Sequence, residues 1–506
     1  MSPVKIENLV ANMVIIGSGS GLVAAAAATE KGVTDIVVLE KQEILGGHSN
    51  WAQGLDACDS PIQKQAQVAT DRDDRFKSCM TSAHWARVDP RIARACIDKS
   101  GDTIRWFQDK GVNFDLKVHF ANNRIRSGLW PLKGKGPDYG RGAELIKAVT
   151  RECKEKGVTL LLRTRAKRIL RDAKGKVTGV VAVKGRKEFQ IKTGCVIIAT
   201  GGFAGNKELL KKYCPDYYDG MHIREMSELH TGDGLLMAAE VGASIPNLIA
   251  YYVEGPHPNY VNKKESLAAS MKEPISGIIK EPYTVWINKK GRRFIDETAG
   301  LSLFEAGNAI LMQPDRVMYS LIDDKIRQDV EEKGMLVGRG WGKEEKGQRV
   351  AVPGFEEVLR RRDAEGGDTL VKIADTWDGI ARWIGADPKV LKAEIEAYNA
   401  CCDRGYDPIF VKDRKYLLPL RKPPFYAIRC ITSLGGTLGG IKVNERMEVL
   451  DTRYNVIPGL FVAGVAADGW APVHIGADGC SSPFGFAMNS GRMAGESAAE
   501  YVLGKS

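Results

Sequence analysis

The sequence predicts an α/β protein in which one domain, assembled from two separated stretches of chain, is interrupted by an α+β insertion. Three observations predict it. Residues 13–40 run as apolar strand, glycine turn, alanine-rich helix and second apolar strand, the βαβ order of a parallel sheet. Two further buried-strand signals end in glycine, CVIIATGG at 195–202 and GLFVAGVAADG at 459–469. Between them, from about 245 to 417, charged helices and aromatic loops replace the buried strand signals. The expected boundaries are 1–240, 241–419 and 420–506, with the outer segments sharing one Rossmann-like domain.

The βαβ unit is built to hold a dinucleotide. Val14 to Ile16 form the first strand and Ile36 to Leu39 the second. Gly17 permits the tight turn, and Gly19 lets backbone approach a pyrophosphate at the positive end of the following helix. Glu40, 23 residues after Gly17, stands where a carboxylate binds a ribose hydroxyl. The third glycine of Gly-x-Gly-x-x-Gly would fall on Leu22; Gly21 lies one residue early.

Composition bounds the class. With 506 residues, 43% hydrophobic and 27% charged, the chain reads as a globular protein of two or three domains. Its net charge of +10 reads as dispersed, with no long block of one sign. No basic stripe with interleaved aromatics supports nucleic-acid binding. Ten cysteines without a C-x-x-C pair give no support for zinc, iron–sulfur or haem ligation, so no metal is expected. The N-terminus lacks a signal-peptide pattern, and no run of 18 apolar residues exists. A cytoplasmic enzyme with no membrane span is the expectation.

The remaining elements follow from periodicity and punctuation. Residues 57–135 read as mostly helical and irregular, with RIARACIDKSGDTIRWFQDKGV the clearest amphipathic piece. A helix ending at Gly157 precedes a strand (Val158 to Arg163) and a hairpin turning at Asp172-Ala-Lys-Gly-Lys. Tyr283 to Asn288 reads as a strand, and 370–405 as two helices, IADTWDGIARWIG and PKVLKAEIEAYNACC. Strands resume near Phe425 to Cys430. The last segment is a helix with Ser482 as N-cap and Pro483 in its first turn.

Scattered glycine motifs point to one group. Ala199-Thr-Gly-Gly-Phe, Thr231-Gly-Asp-Gly, Gly439-Gly-Ile-Lys-Val-Asn and Pro458-Gly-Leu-Phe-Val-Ala-Gly stand in this order. With Gly46-Gly-His-Ser and Gly491-Arg-Met-Ala-Gly-Glu, they resemble the FAD flavoproteins of the fumarate reductase/succinate dehydrogenase superfamily. That superfamily includes soluble ene reductases and ketosteroid dehydrogenases. The resemblance implies FAD, a discontinuous FAD domain, an inserted α+β substrate-capping domain, and catalysis in the cleft between them. It places Gly17, Gly19 and Ser20 at the pyrophosphate and Glu40 at the ribose, with Gly21 and Lys41 also in the cofactor set. Gly47, His48, Ser49 and Gly54 approach the flavin and diphosphate. Asp233 lies beside the isoalloxazine, and the helix start Ser482, Pro483 and Phe484 faces its pyrimidine edge. Ala199, Thr200, Gly201 and Gly464 complete the cofactor set. His48 coincides with the histidine that carries covalent FAD in the membrane-complex members. The FAD here is expected to be noncovalent, with attachment through His48 as the alternative.

The substrate machinery departs from the fumarate pattern. Pro256-His257-Pro258 matches the family's His-Pro turn. Arg293-Phe-Ile-Asp-Glu is followed by Thr-Ala-Gly-Leu301, so Leu301 takes the position of the family's proton-donating arginine. Gly436 stands where a substrate-binding histidine would be, and Ala477-Asp-Gly-Cys480 replaces an Ala-Asn-Arg-Leu run. Losing one charge-assisted contact in a buried site costs roughly 2–5 kcal/mol, so a dicarboxylate becomes a poor substrate. Phe484-Gly-Phe-Ala-Met-Asn-Ser-Gly491 instead resembles the ketosteroid-dehydrogenase branch, where tyrosines act as acid and base. Candidate proton donors are His257, Tyr252, Tyr251, Tyr283 and Tyr260, with Arg293 and His474 weaker and Trp286 and Trp470 as pocket linings. The expected activity is addition or removal of hydrogen across a C=C bond conjugated to a carbonyl, on a small-molecule substrate less charged than fumarate. A fumarate- or urocanate-type carboxylate reductase and a noncatalytic electron-transfer subunit are the alternatives. No second nucleotide fingerprint appears, so a separate electron donor or acceptor is expected.

Overall fold

A computed structural model describes residues 9–505 apart from 69, 122–123, 133–139, 216–221, 224–226, 247, 260–272, 337–348, 350, 366–369 and 472–481. The chain divides into two compact units, one of 1–214, 226–251 and 436–506, the other of 215–225 and 252–435.

The first unit is organised on a six-stranded sheet in the order Glu448–Leu450, Val456–Val462, Val196–Ile198, Met13–Ile16, Ile36–Leu39, Thr159–Leu161. Every pairing is parallel except that of Glu448–Leu450 with Val456–Val462. Its central strands, MVII, IVVL and VII, are buried throughout, as expected for parallel strands covered on both faces. Strands from both ends of the chain therefore meet in one sheet, Val14 lying opposite Val196 and Val196 opposite Leu460.

Helix Ser20–Glu30 and helix Pro483–Val502 pack almost backbone to backbone. A Cβ on Gly495 would lie 2.3 Å from the Ala24 carbonyl oxygen, and one on Gly491 2.7 Å from that of Ser20. Ala24 to Ala28 are almost wholly buried, so the alanine run reflects a helix with neighbours close on several sides.

Two smaller sheets belong to this unit. Leu9–Val10, Lys187–Lys192, Val177–Lys184 and Thr164–Arg171 form one of four strands, with both predicted hairpin arms in place. It corrects the reading of charge as dispersed: the eleven basic residues of 163–192, against two acidic ones, collect on three strands of this sheet and its turns. Leu55–Asp56, Arg124–Pro131 and Phe114–Ala121 form the other. Residues 57–135, expected to be mostly helical, thus hold helices Pro61–Gln65, Arg72–Ser82 and Pro90–Asp109 followed by a hairpin. The alternation of Phe114, Leu116, Val118 and Phe120 with Asp115, Lys117 and His119 is the strand signal in that stretch.

The second unit centres on the long strand Phe425–Leu438, in a sheet ordered His222–Ile223, Phe425–Leu438, Val317–Asp323, Val285–Asn288. Ile249–Pro258 and Val371–Ala374 also pair with the long strand. Residues 371–374, expected to open a helix, are therefore a strand; the helix begins at Trp377, where the Thr376 hydroxyl caps the Gly379 N–H at 3.3 Å. Tyr398, Tyr426, Phe355 and Trp286 fill the core. Trp286, expected to line a pocket, is wholly buried, with its indole N–H donating to Thr284 Oγ1 at 3.1 Å. Among the described residues no helix is long and apolar enough to cross a membrane, and no cluster of three metal-ligating side chains occurs.

Candidate functional site

The site of the first unit is made of backbone before it is made of side chains. Gly17 adopts φ +99°, and a Cβ there would lie 2.4 Å from the Ala199 carbonyl oxygen. Only glycine fits that turn. Gly21 fills the role that the sequence reserves for a later glycine: its Cβ would meet Ile15 at 2.9 Å and Ala199 at 3.2 Å, so helix and strand close tightly. A Cβ on Gly19 would touch Ser49 Oγ at 3.1 Å, which brings the 46–49 loop to the helix start. Gly19 is the N-cap and offers no side-chain cap to the helix N–H groups. Those donors and the helix dipole are left to an anion.

Glu40 is buried at the end of the second strand. Its carboxylate accepts from the Ser18 N–H at 3.1 Å, the Ser18 hydroxyl at 2.5 Å and the Gln42 N–H at 2.8 Å. Ser18 Oγ in turn accepts the Gly46 N–H at 2.8 Å. Glu40 thus locks the glycine turn to the strand end and to the Gly46–Gly47 loop, holding in shape the nest whose ribose it was expected to bind.

Lys41 points to the other side. Its Nζ donates to Thr231 Oγ1 at 2.6 Å and pairs with Asp233 at 3.3 Å; Arg165 bonds the other Asp233 oxygen at 2.6 Å. Burial would raise the Asp233 carboxyl, but the Arg165 hydrogen bond and Lys41 outweigh it and hold the group below its ordinary value. Asp233 is therefore tied to the residue that follows Glu40.

His230, which the sequence analysis passes over, is the functional candidate it missed. It directly precedes Thr231-Gly-Asp-Gly, and that adjacency is the available signal. Its ring lies 5.0 Å from that of His48, and a Cβ on Gly201 would fall 2.8 Å from His230 Nε2. Burial, with Lys41 nearby, pushes the imidazole down to about 4, so it is neutral at pH 7. Its Nδ1 and Thr200 Oγ1 are buried without hydrogen-bond partners among the described residues. A buried polar atom left unpaired costs about 1–3 kcal/mol, and two flanking the Ala199–Gly201 turn mark where a ligand's polar groups belong.

The other expected cofactor residues fall around this nest in different ways. Gly47, His48 and Ser49 lie on the one-turn helix Gly47–Trp51, entered through Gly46 at φ +101°. Gly464 adopts φ +73° and donates its N–H to Ser490 Oγ at 2.9 Å; a Cβ would meet Ser20 Oγ at 2.6 Å. Ser482 caps its helix through the Gly485 N–H at 3.1 Å, with Pro483 in the first turn, and its own N–H donates to Asp56 at 2.9 Å. Phe484 lies against Gly142, itself pressed on the Ser49 carbonyl. Gly54 has a packing role, its Cα facing the Trp130 ring. Trp470, expected as a pocket lining, is buried and stacked on Phe486 at 4.7 Å. A cradle that a Cβ would fill, an uncapped helix start and two unpaired buried polar atoms fit a dinucleotide.

The proton-donor candidates belong to the second unit or its border. His257 is buried on strand Ile249–Pro258. Tyr251 and Tyr252 share that strand, with side chains outside the described residues; Tyr260 and His474 lie outside them altogether. Tyr283 is buried, and that burial, with Glu281 beside it, pushes its phenol far above the ordinary value. Arg293 is a structural ion rather than an open cation. Its guanidinium bonds both Glu297 oxygens at 3.0 Å and Asp407 at 2.9 Å, and lies within 5 Å of the Tyr398 and Phe410 ring centres. Lys412 completes the cluster at 3.1 Å from Glu297.

A parallel sheet closed by glycine at its first turn, an acidic second strand end and an uncapped helix N-terminus define a dinucleotide-binding protein of the flavoprotein type. The chain belongs to the FAD binding domain family, which matches residues 12–483, and its cofactor is FAD. It is 29% identical over 505 residues to the vinyl phenol reductase of Lactiplantibacillus plantarum, covering 97% of each chain. It is 25% identical to the fumarate reductase (cytochrome) of Shewanella frigidimarina, over 97% of this chain and 77% of that one. In fold it resembles the 3-ketosteroid delta1-dehydrogenase of Sterolibacterium denitrificans, with TM-score 0.74, 19% identity and coverage of 98% and 100%.

Proposed function

We infer that the protein is an FAD-dependent oxidoreductase that reduces, or introduces, a C=C bond conjugated to a carbonyl or an equivalent electron-withdrawing ring, on a substrate less charged than fumarate. When bound, FAD would supply the hydride for reduction, or accept it for desaturation, at its flavin N5. The first unit's nest holds that cofactor noncovalently: Gly17, Gly19 and Ser20 at the pyrophosphate, Glu40 at the ribose, and Thr200 and His230 as donors or acceptors beside the Ala199–Gly201 turn. Asp233, clamped by Lys41 and Arg165, serves the ribose half of the cofactor in this reading rather than the isoalloxazine. The second unit is the substrate domain and supplies the proton, from His257 or Tyr252, with Tyr251 of the same strand at its border.

The observation that carries the substrate class is the loss of cations. Leu301 is half exposed where the fumarate-reducing pattern has its proton-donating arginine, Gly436 replaces a histidine, and Arg293 is committed to Glu297 and Asp407. A dianion held without those charges would lie in a site that gives back little of its lost hydration. The vinyl phenol reductase similarity over nearly the whole of both chains supports an uncharged, aromatic alkene.

The test reduces the holoenzyme anaerobically with dithionite and mixes it with 4-vinylphenol, cinnamate, a 3-ketosteroid, urocanate and fumarate, following reoxidation of the flavin absorbance. Reoxidation by an aromatic or cyclic alkene at least tenfold faster than by fumarate is the expected result. Fumarate as the fastest acceptor would overturn the reading.

A further inference from the structure

The chain's charge of +10 is held almost wholly in one place. Residues 163–192 carry eleven Lys and Arg against Asp172 and Glu188, a net of +9. All eleven basic residues are exposed. Arg165, Lys167, Arg168 and Lys192 stand at exposed strand positions and the other basic residues on the two hairpin turns and the strand ends, while Ala166, Ile169, Val180, Val181, Ala182, Phe189 and Ile191 are buried. Lys174 and Lys176 crown one end of the sheet and Lys184, Arg186 and Lys187 the other. Lys184 stands directly opposite Lys187 in the ladder, an arrangement of like charges that opposes pairing. Arg163 pairs with Glu43 at 2.9 Å and Arg165 with Asp233 at 2.6 Å, two anions from outside the segment, and Arg168 with Glu188 at 3.8 Å. At its far edge an open hollow of ≈ 470 Å³ is lined by Val10, Asp172, Lys176, Thr178 and Lys192.

The position of this face in the unit is informative. Arg165, at the Lys184 end, reaches Asp233 and through it Lys41, so the basic surface begins at the cofactor nest. The segment 163–192 contains a single aromatic residue, Phe189, and it is buried, so there is no platform on which bases stack. The exposed large apolar residue at its edge is Val10, too little to anchor the face in a bilayer. An exposed, positive surface of this kind fits an acidic protein surface.

We propose that this sheet docks an acidic one-electron carrier protein that reduces the bound flavin. The proposal rests on the ene-reductase reading, which needs two electrons and has one dinucleotide fingerprint to receive them. The carrier is oxidised twice; its two electrons and one proton from water form the hydride equivalent, and a second proton goes to the adjacent carbon. Each turnover thus converts a C=C bond, two electrons and two protons into CH–CH. The positive face steers the carrier to the unit that holds the flavin.

Stopped-flow reduction of the oxidised holoenzyme by reduced flavodoxin tests this. The second-order rate is expected to fall at least about tenfold as ionic strength rises from roughly 20 to 300 mM, because the Debye length shrinks across that range. A quadruple variant, Lys174→Glu/Lys176→Glu/Lys184→Glu/Arg186→Glu, is expected to lose at least about tenfold in the same rate. Its reduction by dithionite and its reoxidation by alkene remain at wild-type rates. A control with exposed lysines outside this sheet reversed, Lys64→Glu/Lys77→Glu, keeps the wild-type rate. Absence of reduction by flavodoxin, or a quadruple variant as fast as wild type, overturns the proposal. So does a variant that loses only retention on heparin or phosphatidylserine vesicles, which would assign the face to a polyanion or a lipid surface. Failure of the ene-reductase reading shows separately, as dithionite-reduced enzyme that no alkene reoxidises.

Discussion

Around Gly17 the first unit restricts its residues by leaving no room for them; around Arg293 the second restricts them by charge. In the first, a Cβ at position 17, 21, 491 or 495 would strike backbone or a neighbouring side chain within 3 Å. In the second, Arg293, Glu297, Lys412 and Asp407 form a neutral set of two cations and two anions, each with a side chain at most 4% exposed. Buried charges of this kind persist when every member is paired, and the loss of one strands the others. The contrast teaches where to look for function. Absent side chains open space that a cofactor can fill, whereas a balanced buried cluster closes on itself.

The largest expected effect comes from refilling the cradle. Gly17→Val adds a branched side chain at φ +99° and 2.4 Å from Ala199 O, where strain alone costs about 1–3 kcal/mol before the clash. FAD content, read as the ratio of flavin to protein absorbance, is expected to fall at least about a hundredfold in affinity, and activity with it. A variant that purifies with a full complement of FAD would show that the close approach is not what shapes the nest.

Breaking the charge cluster should unfold rather than empty the protein. Glu297→Ala leaves Arg293 and Lys412 facing each other without their shared anion, and a loss of about 3–5 kcal/mol in urea unfolding is expected. FAD binding at low denaturant should be retained. Burial raises the Glu297 carboxyl, but Lys412 and Arg293 outweigh it and hold it low; the Asp407 carboxyl is likewise low, against its own burial, through the Phe410 N–H and Arg293. Both contributions are therefore full above the unfolded carboxylate value of about 4 and are lost as pH falls through the lower folded values. Glu297→Gln should show a shallower acid limb in a plot of stability against pH. Loss of FAD in step with stability at neutral pH would erase the distinction between the units.

His230 lies between these extremes, a titratable group in the unit shaped by glycine. Its folded value of about 4 lies below the unfolded value of about 6.5, so the fold binds fewer protons in that interval. Its contribution is intact above pH 6.5 and erodes as pH falls toward 4, by about 3 kcal/mol over the whole interval. His230→Gln should flatten that limb of the stability curve and weaken FAD binding by several-fold, measured by flavin fluorescence on dilution. A curve that stays unchanged between pH 4 and 6.5 would show that the imidazole is not held neutral by burial.

How far these features were legible in the sequence follows from the same contrast. The Gly17 turn, the strands on either side and the capped Ser482 helix were readable because steric demands and apolar runs are local. Gly21 was readable as an irregular fingerprint, but its contact with Ile15 and Ala199 was not. The hairpin 114–131 was written in its alternation and lost to its helical neighbours. Arg293 stood among the weaker proton-donor candidates, and its commitment to a buried cluster was not readable because Asp407, one of its partners, stands 114 residues away. The basic sheet does not stand out as an unbroken run because its eleven Lys and Arg are spread over three strands and two turns between residues 163 and 192. Long-range pairing, not composition, decided each of these.

The smallest effect expected is at His48, and it bears on how completely backbone alone holds the cofactor. The ring lies on the Gly47–Trp51 turn beside the neutral His230, in the position that carries covalent flavin in some members of the superfamily. Neutrality of His230 leaves no adjacent imidazolium at pH 7 to repel or polarise His48. Packing against the cofactor then needs shape and a polar edge, which asparagine also provides. His48→Asn is accordingly expected to keep FAD within a few-fold of wild-type affinity, a difference of about 1 kcal/mol for one neutral hydrogen bond. Acid precipitation of the wild type should leave the yellow colour in the supernatant. Colour retained in the pellet, and lost in His48→Asn, would show instead that a covalent bond supplements the glycine cradle and that the first unit does not rely on backbone geometry alone.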